Sequence, residues 1–142
     1  MTIEPVGGEG FEAGRWACVN LIHAYNNFAD TARHAMIPEL FTDDAVLNAN
    51  DEMVGIESIR EGMRKRAANA RKTLHVSANI QFTDLGASEL RATSTLAVHV
   101  FQDPPKTLGP AMMVRVLDAF IRLPNGEWRF RRRDFEIFAR AG

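Results

Sequence analysis

The side chains with most chemical range near neutral pH are four histidines, at 23, 34, 75 and 99, one tyrosine, Tyr25, and one cysteine, Cys18. No two of the histidines have a close metal-ligand spacing such as His-x-x-x-His. His75 stands in "TLHVSANIQF", where Leu74, Val76, Ala78, Ile80 and Phe82 alternate with His75, Ser77, Asn79 and Gln81. Side chains on a strand point to opposite faces with period two, so this is a strand with one apolar and one polar face. The polar face carries an imidazole and a carboxamide where an ordinary exposed strand carries Lys, Glu and Thr. An imidazole with its usual pKa of about 6.5 is a base suited to neutral pH. Such a base can take a proton from carbon next to a carbonyl or a leaving group. A lone histidine on a strand is, however, more often structural than catalytic.

The elements that must position this strand follow from periodicity. Residues 1–10 are glycine-rich and read as a loose arm, leaving 11–142 as one domain. From Phe11, Cys18, Leu21, Tyr25 and Phe28 recur on one helical face. A short helix fits "MIPELF", with Pro38 in its first turn. "TDDAVLNAN" reads as a turn into a short strand. Gly55 opens a third helix, "IESIREGMRKRAANA", with Ile56, Ile59 and Met63 inward. Three further strands follow: "ELRATSTLAVHVF", "AMMVRVLDAFIRL" and "EWRFRRRDFEIF". They are joined by "QDPPKTLGP", a long loop expected at a pocket rim, and by the "PNG" turn, where Asn-Gly is expected to supply positive φ angles. Helices first and a meander of strands afterwards mean an α+β fold. In the last strand Trp128 and Phe130 share one parity, and Phe135 and Ile137 the other. A β-bulge near Arg132–Asp134 repairs that slip and makes Arg133 a pocket candidate.

Composition narrows the function. The chain has 142 residues, is 46% hydrophobic and 25% charged, and carries a net charge of −1. That balance argues against nucleic-acid or membrane-surface binding, which needs a basic excess, so "RFRRR" reads as a solvated sheet face or a contact for an acidic ligand. The lone Cys18 reads as core, excludes an internal disulfide framework and fits a reducing compartment. The start lacks an export signal pattern, and no apolar run reaches the roughly 20 residues of a membrane helix. A cytoplasmic protein is the expectation. No dinucleotide fingerprint, nucleophile elbow or phosphate loop is present.

Several stretches resemble the SnoaL-like branch of the nuclear transport factor 2-like superfamily. "YNNFADTARHAMIPELFTDDAVL" is similar to that family's opening, "MVGIESIREGM" to its third-helix start, and "NGEWRFRRR" to its final hairpin. "LHVSANI" resembles the stretch that carries a catalytic histidine in scytalone dehydratase, bile-acid 7α-dehydratase and hexachlorocyclohexane dehydrochlorinase. The resemblance implies a cystatin-like cone: a curved sheet and three N-terminal helices closing a single deep pocket.

It also implies roles. His75 matches the family's base, Asp30 the aspartate that orients it, and Tyr25 the dehydratases' tyrosine. Asn79 matches an asparagine of the dehydrochlorinase. His99 lies near a second histidine of scytalone dehydratase, with a register about one residue off. An aspartate bonded to one imidazole nitrogen leaves the other basic. The implied activity is a lyase (dehydration or another elimination) or an isomerase acting on a hydrophobic cyclic molecule, with no cofactor and no metal. Substrate contacts would come from Asn79, His99 and Arg133. If so, His75 and Asn79 face the pocket while Leu74, Val76, Ile80 and Phe82 form an apolar back, which a homo-oligomer, dimer or trimer, would cover. Other readings stand beside these. Asp30 could cap the second helix, Tyr25 could be core, and Asn79 could bond backbone at a bend. His23 and His34 read as surface helix residues. The whole chain could be a non-catalytic binding module, or a structural subunit like the β subunit of ring-hydroxylating dioxygenases.

Overall fold

A computed structural model describes residues 9–69, 71–101 and 109–141, with side chains from 13 onward except that of residue 84. Helix α1 runs Glu9–Asp30, two residues earlier than the sequence pattern starts. It buries Cys18, Leu21, Ile22 and Tyr25 on one face, as the spacing predicts. Burial pushes the Cys18 thiol pKa upward, with Asp118 adding to the effect. After a reversal at Ala32, whose φ is 58°, a 3-10 helix spans His34–Leu40. Pro38 lies late in it, not in the first turn, and is buried.

Strand β1, Phe41–Ala49, is longer than expected. It turns back through Asn50 (φ 71°) into β2, Asp51–Val54, a hairpin absent from the sequence reading because "DEMV" lacks strand-forming alternation. Helix α2, Ile56–Ala68, follows Gly55 at φ 86° and buries Ile59 and Met63. The remaining strands are β3 (Thr73–Gly86), β4 (Glu89–Val100), β5 (Met112–Arg122) and β6 (Trp128–Arg140). Most of the "QDPPKTLGP" loop lies outside the described residues.

The six strands form one curved mixed sheet ordered β2-β1-β6-β5-β4-β3, parallel only between β1 and β6. The three helices and this sheet are the α+β, cystatin-like architecture expected. In the 123–127 turn only Gly126 has positive φ, at 90°; Asn125 does not, and Pro124-Asn125 forms an ordinary turn closed by Gly126 N–H to Leu123 O at 2.9 Å.

Two bulges decide which way side chains point. On β6, Phe120 pairs with Phe130 and Ala119 with Arg132, so the extra residue is Arg131, slightly earlier than the sequence suggests. That slip turns Arg133 inward while Arg131 and Arg132 stay exposed. On β3, Ala78 pairs with Thr95 and Gln81 with Thr93, so Asn79 and Ile80 stand opposite Ser94 alone. Asn79 takes φ 55° there. Before this bulge Leu74 and Val76 face outward, each 45% exposed. Beyond it Ile80 and Phe82 pack on the core, which corrects the expected continuous apolar back.

Candidate functional site

Asp30, the last residue of α1, reaches β3 with both carboxylate oxygens. Oδ2 accepts the His75 backbone N–H at 2.9 Å, and Oδ1 accepts the Thr73 hydroxyl at 3.0 Å. Oδ1 also lies 2.6 Å from His75 Nδ1. The carboxylate therefore fixes the strand as well as the ring, and does not act as a helix cap. A second tie supports it: buried Asn26 donates from Nδ2 to Ser77 Oγ at 2.9 Å. With Nδ1 committed to Asp30, the other ring nitrogen, Nε2, has no protein partner among the described residues.

Tyr25 is 2% exposed and lines the same cavity as His75, of about 180 Å³. Its ring meets Phe41 and Phe135 edge-on, with centroids 6.3 and 5.9 Å away. Arg66, from the last turn of α2, donates from Nη2 to Ala49 O at 2.6 Å, and its Nη1 lies 3.5 Å from the Tyr25 hydroxyl. His34 also lines this cavity, from the start of the 3-10 helix. Its Nδ1 is sealed from solvent and unbonded. Burial, then the charges of Arg66 and His75, lower its pKa.

Beneath Tyr25 lies an ion pair. Arg133 (1% exposed) donates from Nε and Nη2 to Asp118 at 2.6 and 3.2 Å. Its guanidinium stacks 4.6 Å from the Tyr25 centroid, 4.5 Å from Phe130 and 5.1 Å from Phe135. Burial raises the Asp118 pKa, and Arg133 opposes that rise. Arg133 Nη1 remains buried and unpartnered. The ion pair with Asp118 leaves little net charge here, and the stacked guanidinium fixes the position of the Tyr25 ring.

The structure thus brings His75, Asp30 and Tyr25 together, with Arg133 directly behind Tyr25. It does not bring Asn79 or His99 to them. Asn79 is exposed on its bulge. His99 pairs with outward-facing Leu74, whereas His75 pairs with buried Val98, so His99 is on the convex face. His23 is exposed as read, and His34 is half-buried on its helix, with its ring at the cavity. Arg66 sits among charged residues of α2, and His34 opens a short helix that reads as a surface segment, so neither stands out in the sequence. Their shared cavity is visible only once α2 and the 3-10 helix pack together.

A larger cavity, about 300 Å³, lies at the other end of α1 among Ala13, Gly14, Ala17, Leu90, Arg122 and Trp128. Among the described residues it is lined by no His, Asp or Glu, whereas the smaller cavity holds His75 and His34. Among the described residues no group of three or more His, Cys, Asp or Glu could hold a metal ion. No helix among them is long and apolar enough to cross a membrane.

The fold has many solved relatives. A candidate scytalone dehydratase from Novosphingobium aromaticivorans superposes with a TM-score of 0.79 at 15% identity, over 94% of this chain and 89% of that one. The β subunit of a candidate aromatic-ring-hydroxylating dioxygenase from the same organism gives 0.82 at 16% identity, over 94% of each chain. LinA gives 0.75 at 14% identity, over 92% of this chain and 89% of LinA. No curated protein matches the chain in sequence. At these identities the structures establish the shared fold alone. The SnoaL-like domain model matches residues 13–134, nearly the whole described chain, and the protein therefore belongs to the SnoaL-like domain family.

Proposed function

We propose that the protein is a lyase or isomerase that needs no cofactor, acts on a small hydrophobic cyclic molecule, and uses His75 as its base. The observation that carries this reading is the 2.6 Å contact between His75 Nδ1 and Asp30 beside a cavity that Tyr25 shares. Nε2 takes a proton from carbon next to a carbonyl or leaving group. Asp30 stabilises the imidazolium that forms. Tyr25 either donates a hydrogen bond to the carbonyl oxygen or protonates a departing hydroxyl. Arg133, stacked on the Tyr25 ring, holds that ring in position. The cavity is below the usual range of about 300–1,000 Å³ for ligand pockets, which favours a single substituted ring.

A purely structural role, as a partner subunit, does not account for a polar dyad facing a cavity. A non-catalytic binding module does, and the test separates it. Proton exchange and turnover are measured by NMR in D₂O with cyclic ketones, hydroxylated and halogenated rings, polyketides and steroids. Wild type should exchange or convert a ring substrate. His75→Ala should lose about 10²–10⁴-fold in rate while its melting temperature stays nearly unchanged. Asp30→Asn should keep the fold and lose rate through a weaker base. Tyr25→Phe should slow elimination more than exchange, because only elimination requires protonation of a leaving group. A His75→Ala variant with wild-type turnover would rule the mechanism out. Tight binding without reaction anywhere in the panel would establish the binding module instead.

A further inference from the structure

Among the described residues no Asp or Glu lines the cavity at His75, whereas two arginines, Arg66 and Arg71, do. The adjoining acid, Asp30, is engaged by the His75 N–H, the His75 ring and the Thr73 hydroxyl. Arg66 is half-buried, and its hydrogen-bond partners among the described residues are neutral: the Ala49 carbonyl and the Tyr25 hydroxyl. It has no carboxylate partner among the described residues. The Ala49 bond clamps the planar head in one orientation through Nη2. Among the described residues Nε makes no hydrogen bond, and Nη1 meets only the Tyr25 oxygen at 3.5 Å. A held guanidinium with spare donors suits a carboxylate, whose two oxygens match its fork.

We infer that Arg66 is a specificity-determining residue and that the substrate of this site is a small cyclic carboxylate. Arg66 holds the carboxylate at the side of the cavity formed by α2, with Arg71 adding charge at the exposed rim. The ring then lies between Arg66 and Nε2 of His75, with the reacting carbon away from the acid group. This deepens the proposed function, since it rests on the His75 cavity being the substrate site. The plainer alternative is that Arg66 merely ties the end of α2 to β1 and complements the helix dipole. That role predicts a loss of stability on substitution and no preference between charged and neutral ligands.

The experiment compares cyclohexanecarboxylate with cyclohexanecarboxamide, nearly equal in shape and different in charge, by isothermal titration calorimetry on the full chain near neutral pH. Wild type should bind the acid roughly tenfold tighter than the amide or better, as expected for charge-assisted hydrogen bonds. Arg66→Gln should bring the ratio close to one by weakening the acid alone. Arg66→Lys should keep part of it, and Arg71→Gln most of it. Equal affinities in wild type, a ratio that survives Arg66→Gln, or no binding of either probe at millimolar concentration would each overturn the inference. The wild-type ratio needs no variant to fold. A missing ratio alongside His75-dependent turnover removes this inference alone. A preserved ratio without any turnover removes the proposed reaction alone.

Discussion

His34 shows how a single residue can change meaning between sequence and structure. Its side chain belongs to the cavity shared by Tyr25, Arg66 and His75, and its Nδ1 is buried without a partner. Burial and the neighbouring positive groups lower its pKa, so the folded chain resists a proton that the unfolded chain accepts. By linkage, the unfolded state then binds more protons, and stability rises with pH across that interval. The loss begins as pH falls below about 6.5, the ordinary histidine value, and levels off once the folded-state value is passed. Thermal unfolding from about pH 5 to about pH 8 should show His34→Gln with a shallower acid-side fall than wild type. Parallel curves for the two proteins would refute this. His75 was legible in the sequence because strand alternation isolates it on a polar row. The oxygen partner of its ring was legible only through the family likeness, since positions 30 and 75 are joined by nothing but the fold. His34 and Arg66 carried no comparable signal, because a polar residue on a short helical segment looks the same facing water or a cavity.

At the scale of elements, the helices and every strand but β2 could be read from periodicity, and the slip in β6 from its aromatics. Trp128 and Phe130 on one parity and Phe135 on the other cannot all be inside without an extra residue. The slip in β3 left no such trace. Its alternation runs unbroken from Leu74 to Phe82, yet the even residues face outward before Asn79 and inward after it. Large apolar side chains on both faces conceal the change. This reassigns Asn79 from substrate contact to backbone device, because a position at φ 55° is filled best by Gly or Asn. Asn79→Gly should therefore leave both turnover and melting temperature close to wild type. Asn79→Val should destabilise by about 1–2 kcal/mol, since a β-branched side chain strains the left-handed conformation. Chemical denaturation measures both. A large rate loss in a fully folded Asn79→Gly variant would return Asn79 to the site.

For the whole molecule, the open question raised by the sheet is its convex face. The expected apolar back on β3 is shortened by the bulge, but the register rebuilds a patch across strands. Val76 pairs with Ala97, Ala97 with Met113 and Met113 with Ala139, giving an apolar line across β3, β4, β5 and β6. Leu74 lies beside it at 45% exposure, and Phe138, the extra residue of a second β6 irregularity, is 60% exposed. Single exposed apolar residues are normal on any surface, whereas a contiguous line of them marks a contact site. We expect a homo-oligomer, dimer or trimer, that covers this face. Sedimentation equilibrium at micromolar concentration should show it, and Val76→Asp combined with Phe138→Asp should yield a folded monomer. Because Tyr25, Asp30, Arg66 and His75 come from one chain and line or adjoin the opposite, concave side, that monomer should keep most of its activity. A wild-type monomer would refute the assembly. An inactive but fully folded double variant would mean that the contact also holds the curvature on which the cavity depends.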